Sequence, residues 1–333
     1  MAKPKEVIVG VDMGGTSLRA LVVDAVNRIL AVEEIPTRVG QKPEAIVADV
    51  AAMVRRAVAR AGMKRAHIRA VSIGVPGAVD PQRGIVHAAP NLGWKSFPFG
   101  SKLKALLRVP IFVENDVNVG VVGEHALGAG KGCRELVGIF PGTGIGGGLI
   151  VGGKLYEGCR GSAGEVGHII LLAGGPRCGC GRRGCAEALA SRTAMERDVR
   201  AAIKAGQPSV VLKIMKERGR ERMTSSIINR ALKKKDLVVR KVLKRAQYYL
   251  GLLVANVVNL LDPECVVIGG GIAERLGEDY VKPIRETAFE YFLNPRDKTR
   301  IKIVAGRLGD DAAPLGAVVL ARQRLRERTR RAR

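Results

Sequence analysis

The stretch VIVGVDMGGTSLRALVVD, Val7–Asp24, decides how the rest of the chain is read. A β-branched run, Val7–Asp12, meets a turn at Met13–Gly15 and resumes at Ser17–Asp24, which predicts strand, glycine turn, strand. Gly14 and Gly15 leave backbone N–H groups uncovered, and such groups can converge on an anion. Thr16 adds a hydroxyl donor. Asp12 stands at the mouth of the turn, where a hard carboxylate suits Mg²⁺, directly or through water. No Gly-Lys-Ser/Thr and no helix follow, so this is not a P-loop. Alone, the stretch fits an ordinary hairpin equally well.

A second stretch breaks the tie. LVGIFPGTGIGGGLIV, Leu136–Val151, repeats the pattern: strand Leu136–Phe140, turn Pro141–Gly148, strand resuming at Leu149–Val151. Two such hairpins, roughly 130 residues apart, suggest duplicated halves facing one nucleotide, with Thr143 and Gly144 on its terminal phosphates.

A third stretch, GEVGHIILLAGGPRCGCGRRGCAE (Gly164–Glu187), carries Cys178, Cys180 and Cys185 interleaved with glycines, and His168 upstream of them. Thiolate and imidazole are ligands zinc prefers, and four of them close a tetrahedral structural site. Glycines let so short a backbone aim three sulfurs at one point. Buried free thiols or a disulfide are the competing reading. Glu165 and Glu187 flank the cluster, and a metal knot between them would hold both carboxylates rigidly. Cys133 and Cys159 stand apart and read as small apolar fillers.

Between these landmarks, Pro43–Gly62 reads as an amphipathic helix, Ile68–Val75 as a buried strand ending at Pro76-Gly77, and Ala78–Phe99 as a long loop holding Asn91 and Trp94. Strand Val109–Glu114 runs into Glu114-Asn115-Asp116 ahead of a helix over Val117–Leu127. Asp116 fits a helix N-cap. It also lies where open α/β sheets bind ligands, outside the carboxyl end of a strand. Helices follow over Ala188–Ala205, Val210–Met215, Ile227–Leu232 and Asp236–Leu261. Strand Cys265–Ile268 enters Gly269-Gly270-Gly271, Ile301–Val304 is the last strand, and Ala312–Leu325 is the last helix.

The 333 residues suffice for two domains and carry a formal net charge of +25. Lys204–Arg245 holds fourteen Lys or Arg against three acids, and Arg322–Arg333 holds seven Arg in twelve residues. Such charge attracts nucleic acid, anionic membranes or polyphosphate. Neither segment interleaves aromatics or carries a nucleic-acid motif, so a solvated helix face and a frayed tail are favoured. The longest apolar runs are broken or too short to span a bilayer, and Met1–Glu6 is too short and polar for a signal peptide. Cysteine usage suits a reducing, cytoplasmic setting.

Five motifs in order, DMGGT, PG…PNLGW, ENDVN, PGTGIGGG and GEVGH…CGCGRRGCAE, make the chain resemble the ROK family (repressors, open reading frames, kinases) from Val7 to about Leu325. That family lies within the sugar kinase, actin and heat-shock ATPase superfamily. The resemblance implies an α/β, two-domain, actin-like (ribonuclease H-like) fold with a nucleotide and sugar cleft between domains. Residues 1–116 plus 310–325 would form the small domain and 117–309 the large one, with 326–333 a disordered basic tail. It implies Mg-ATP and structural zinc as cofactors and phosphorylation of a hexose, glucose at its 6-hydroxyl being favoured. Asp116 would be the general base. Gly77, Asn91, Asn115, Asp116, Glu165, His168 and Glu187 would bind the sugar. Asp12, Gly14, Gly15, Thr16, Thr143, Gly144, Gly270 and Gly271 would bind the nucleotide, and His168, Cys178, Cys180 and Cys185 the zinc. Homodimers or homotetramers are the family's rule, and no membrane partner is expected. Another hexose or an N-acetylhexosamine as acceptor, or polyphosphate as donor, are alternatives. A sugar-responsive DNA-binding regulator is less favoured, because the first strand at Val7 leaves no room ahead of it for a winged helix.

Overall fold

The computed structural model describes residues 6–15 and 17–331; Thr16, expected to bind nucleotide, lies outside the described residues. Two compact units emerge. The first contains the residues up to Lys131, Leu155–Ala163, and those from Asp311 onward. The second contains Gly132–Lys154 and Gly164–Asp310.

In the first unit, β1 (Val7–Met13), β2 (Ser17–Val23) and β3 (Ile29–Pro36) form an antiparallel meander, and α1 (Pro43–Arg60) covers it with a stripe running from Ile46 to Val58. Next come β4 (Ile68–Val75), β5 (Ala78–Asp80), β6 (Ile85–Ala89), β7 (Trp94–Phe97), α2 (Phe99–Leu107), β8 (Ile111–Asn115) and α3 (Asp116–Leu127). The main sheet has the order β3-β2-β1-β4-β8, with β4 parallel to both β1 and β8.

The second unit opens with β9 (Leu136–Pro141), β10 (Ile145–Val151) and the first residue of β11 (Lys154–Leu155), followed by α4 (Ala186–Ala190), α5 (Arg192–Lys204), α6 (Val211–Glu217), α7 (Ser225–Lys233) and α8 (Leu237–Leu261). It continues with β12 (Cys265–Ile268), α9 (Gly270–Leu276), α10 (Glu278–Glu290) and β13 (Lys302–Ala305). Its sheet order is β11-β10-β9-β12-β13, with β9–β10 antiparallel and β12 parallel to both β9 and β13. The two sheets therefore repeat one plan, as the two glycine hairpins suggested.

The last helix, α11 (Ala312–Arg331), belongs to the first unit and crosses α3 at backbone contact. A Cβ on Gly316 would lie 1.7 Å from the Val119 carbonyl oxygen, and one on Gly123 would lie 2.1 Å from that of Ala312. This crossing moves the expected boundary. Because α3 is locked onto α11, the first unit runs through Lys131 and does not end at Asp116.

Three further expectations are corrected. The segment Ala78–Phe99 is not an open loop but the antiparallel sheet β5-β6-β7, pinned by Trp94, which packs tilted against Phe97 and stacked on Phe99 at 4.9 and 5.5 Å between ring centroids. The basic tail is not disordered at residues 326–331, since α11 carries on to Arg331. Two arginines of this helix are anchors: Arg322 reaches the Asp24 carbonyl and the Asn27 side chain, and Arg328 lies 4.8 Å above the Phe112 ring. Cys159 is exposed, so it fills no core. Among the described residues no helix is long and apolar enough to cross a membrane.

Candidate active site

The first unit sets Asn115 and Asp116 at the carboxyl end of β8, beside the end of β4, where Val75 pairs with Asn115. Asn115, and not Asp116, is the N-cap of α3: its Oδ1 accepts from the N–H groups of Val117 and Asn118 at 2.9 and 3.0 Å. Its Nδ2 donates to the Gly77 carbonyl at 3.0 Å. Asp116 thus occupies the first helical position, its Oδ1 accepting from Val117 N–H at 2.9 Å. Gly77 has φ +102°, and a Cβ there would meet the Ala88 carbonyl oxygen at 2.0 Å, so only glycine allows this approach. Asn91 stands exposed on the 3₁₀ turn between β6 and β7.

Asp12 lies near the end of β1 and pairs with Arg19, whose guanidinium is engaged by Asp311 at 2.8 Å and Glu34 at 3.1 Å. The turn beyond it is closed by Gly14 N–H donating to the Ser17 carbonyl at 2.9 Å and by Thr37 Oγ1 donating to the Gly14 carbonyl at 2.7 Å. A half-buried carboxylate at the mouth of such a turn offers the hard oxygen donor that Mg²⁺ takes.

One residue before Asn115, a buried cluster braces the segment. Glu114 accepts from Asn115 N–H at 3.0 Å and from Asn118 Nδ2 at 3.1 Å, while Arg324 of α11 bridges Glu114 at 2.6 Å and Glu157 at 3.1 Å. Two carboxylates share one guanidinium. Burial, and then the proximity of Glu114, push the Glu157 carboxyl up to about 7. A carboxyl that keeps its proton to about pH 7 in the fold, against 4.5 ordinarily, stabilises the fold below about 4.5 and loses that contribution as pH rises towards 7. Glu157→Gln should therefore flatten the dependence of Tm on pH between those values and raise Tm at pH 8. An unchanged slope would remove Glu157 as its source.

The second unit assembles its predicted residues more tightly. His168 Nδ1 lies 3.8 Å from Cys178 Sγ, and Cys180 Sγ lies 3.7 Å from Cys185 Sγ. All four ligand atoms fall within 4.8 Å of one another. A tetrahedral centre with bonds of about 2.3 Å sets sulfur–sulfur edges of about 3.8 Å, so the donor set fits a structural zinc ion. Burial pushes the Cys178 thiol up to about 12, and a divalent cation would reverse that preference. The knuckle can close because Gly181 and Gly184 have φ +89° and +77°, Gly184 passing so near the Leu172 carbonyl oxygen that a Cβ would sit 1.7 Å from it. The other ring nitrogen, Nε2, faces Glu165 at 3.9 Å.

Glu187 links this cluster to the glycine turn. Its Oε1 accepts from Cys178 Sγ at 3.3 Å, and its Oε2 from Ile145 N–H at 3.1 Å. A Cβ on Gly144 would lie 2.2 Å from that Oε2. Gly144→Ala should therefore displace Glu187 while barely moving Tm, since only the end of a flexible side chain must shift. Calorimetry checks this: stability within about 1 kcal/mol of wild type, the worth of one hydrogen bond, is expected, and a larger loss would show that the backbone of the turn, not the Glu187 carboxylate, has to yield.

On the far side of the same turn, Gly269 N–H donates to the Ile139 carbonyl at 2.9 Å, and Gly270, at φ +81°, passes the Pro141 carbonyl oxygen where a Cβ would come within 2.6 Å. Gly271 lies against Ser225 Oγ, which also accepts from Arg275 Nε at 3.2 Å. The zinc-type cluster, Glu187, Thr143-Gly144 and Gly270-Gly271 thus form one connected series. Sequence reading missed Arg192 and Thr193, which hold Thr143 from α5 at 2.7 Å each. It also missed the Glu114–Arg324–Glu157 cluster.

Paired glycine hairpins on two sheets of identical plan define the actin-like sugar kinase architecture. The ROK family profile matches residues 8–324, and the chain belongs to that family. It is 32% identical to a glucokinase of Halalkalibacterium halodurans, over 95% of this chain and 94% of that protein. A xylose repressor of Caldicellulosiruptor bescii is 29% identical over 94% of this chain and 77% of its own length. Among solved structures, a ROK family glucokinase from Streptomyces griseus in complex with glucose and AMPPNP superposes with a TM-score of 0.83 at 34% identity, covering 95% of this chain and 99% of that one.

Proposed function

We propose that this protein is an ATP-dependent hexose kinase, with glucose phosphorylated at its 6-hydroxyl and Asp116 as the general base. The observation that carries the reading is the seat of Asp116, at the carboxyl end of β8, with Asn115 holding both the α3 N-terminus and Gly77. There a carboxylate is fixed by backbone and can wait for a hydroxyl proton.

In the reaction the sugar oxygen forms its bond to the γ-phosphorus as the bond from phosphorus to the β,γ-bridging oxygen breaks. The electron pair leaves with ADP, and the hydroxyl proton passes to Asp116 Oδ. Phosphoryl transfer needs positioning and charge neutralisation above all. The N–H groups of the two glycine turns serve the phosphates, and Gly270 and Gly271 leave room for adenosine. Mg²⁺, held near Asp12, would neutralise phosphate charge. Zinc held by His168, Cys178, Cys180 and Cys185 would keep Glu165, His168 Nε2 and Glu187 in place to read sugar hydroxyls. Carboxylates as acceptors suit a polyol better than an anionic substrate. Relatedness to a glucokinase over nearly the whole chain supports glucose as the first acceptor to try.

The test is a coupled assay with Mg-ATP and glucose, mannose, fructose, N-acetylglucosamine and N-acetylmannosamine. Glucose turnover at the highest kcat/KM is expected. Preference for an N-acetylated sugar would overturn the substrate and keep the chemistry. A folded, zinc-loaded protein that turns over none of the five, with ATP or with polyphosphate, would sink the kinase reading.

A further inference from the structure

Arg192 opens α5 directly after its cap, Ser191. Its N–H donates to the Gly142 carbonyl at 2.9 Å and its Nη2 to Thr143 Oγ1 at 2.7 Å, while Thr193 Oγ1 donates to the Thr143 carbonyl at 2.7 Å. Two residues of α5 thus grip two residues of the Pro141–Gly144 turn. Arg222 reaches the same place, with Nη2 3.4 Å from Thr193 Oγ1.

Charge here does not balance. Arg200 and Arg222 both bind Glu196, each at 2.9 Å, leaving Arg192 with no carboxylate in salt-bridge range among the described residues. Burial, and then the charge of Arg222, hold the Arg192 guanidinium below its ordinary range. Guanidinium does not shed its proton in proteins, and the Glu196 carboxylate, already shared by Arg200 and Arg222, offsets the repulsion only in part. Fastening the turn does not require this. A neutral donor would hold Thr143 without the desolvation cost of a cation.

We infer that Arg192, with Arg222 behind it, binds the terminal phosphates of the phosphoryl donor. The guanidinium occupies a lone pair of Thr143 Oγ1, which turns that hydroxyl's own proton towards a phosphate oxygen. The remaining guanidinium N–H groups share the phosphate charge, as the planar fork of Arg does with pairs of phosphate oxygens. The inference rests on the proposed role of the Pro141–Gly144 turn in holding donor phosphates. What such a seat recognises is a phosphoanhydride chain, whether the tail of ATP or inorganic polyphosphate.

The full-length protein, Arg192→Met, Arg192→Lys and Arg222→Met are titrated by calorimetry with inorganic tripolyphosphate, Mg-ATP and adenosine. Removing one charge-assisted contact should weaken tripolyphosphate and Mg-ATP about tenfold or more in Arg192→Met, with adenosine affinity unchanged. The Lys variant should recover part of the loss, and the Met variant should depend less on salt. In turnover, KM for the donor should rise and KM for the sugar stay put. Tripolyphosphate affinity equal to wild type in Arg192→Met overturns the inference. So does a parallel loss of adenosine affinity and Tm, which would make Arg192 a fastener of the turn only. Arg192-dependent tripolyphosphate binding in a wild-type protein that phosphorylates no sugar keeps the seat and removes the kinase proposal. Sugar kinase activity with Arg192→Met equal to wild type does the reverse. Turnover with tripolyphosphate replacing ATP identifies polyphosphate as the donor, and turnover with ATP alone confines the seat to nucleotide; both support it.

Discussion

Asp116→Asn is expected to lower kcat for sugar phosphorylation by roughly a hundred- to ten-thousand-fold, the span that general-base removal commands. Asparagine keeps the oxygen that accepts from Val117 N–H, and Asn115 still caps α3, so the helix start should survive. Tm and calorimetric affinity for Mg-ATP should match wild type. The contrast with Asn115→Ala sharpens the assignment. That variant loses two N–H partners and the link to Gly77, and cap loss alone costs about 1 kcal/mol, so stability and sugar affinity should fall together. A full-rate Asp116→Asn enzyme would leave the proton without its proposed acceptor.

The duplicated plan of the molecule was legible because its signal is local. Val7–Asp24 and Leu136–Val151 each contain both strands of a hairpin and the glycines between them. The convergence of the Cys/His cluster was legible for the same reason, its four side chains falling within eighteen residues of sequence, from His168 to Cys185. What escaped was structure whose cause is distant. In Ala78–Phe99 the strands are three to five residues long and broken by Pro81, Gly84, Pro90 and Gly93, so only pairing with neighbours makes them strands. Gly277 and Pro283 likewise interrupt the periodicity of α9 and α10.

The arginines of α11 show the same limit in the site. As sequence, Arg322–Arg333 is a run of charge, and a run of charge reads as solvated. In the fold, Arg324 serves a carboxylate 210 residues away and braces the segment that ends in Asp116. Likewise Arg192 is one basic residue among many until α5 is seen against a turn 49 residues upstream. Residue type alone singled out the glycine turns and the cysteines. Only tertiary placement separates an anchoring or ligand-seeking arginine from a solvated one.

Cys185→Ser should release zinc, strip protection from hydrogen exchange across residues 165–190, and bring sugar phosphorylation close to background. The Cys185 side chain is fully buried and pairs through its backbone with Ile170, so it fixes the proposed ligand and the return of the chain into α4 at once. Glu187 follows two residues later and reaches both Cys178 and Ile145 N–H, so loosening the knuckle frees a proposed sugar ligand and one wall of the Pro141–Gly144 turn. In small zinc peptides the metal supplies about 10 kcal/mol or more of folding free energy. Here the sheet of the second unit and α8, buried along one face from Val238 to Val258, have a core that does not depend on the metal. The loss should therefore stay local: α8 amides keep their protection while the knuckle opens. Chelation of the wild-type protein should reproduce the pattern, and added zinc should reverse it in wild type but not in the variant. Protein purified free of zinc with the knuckle protected and full turnover would reassign the three cysteines and His168 to packing alone.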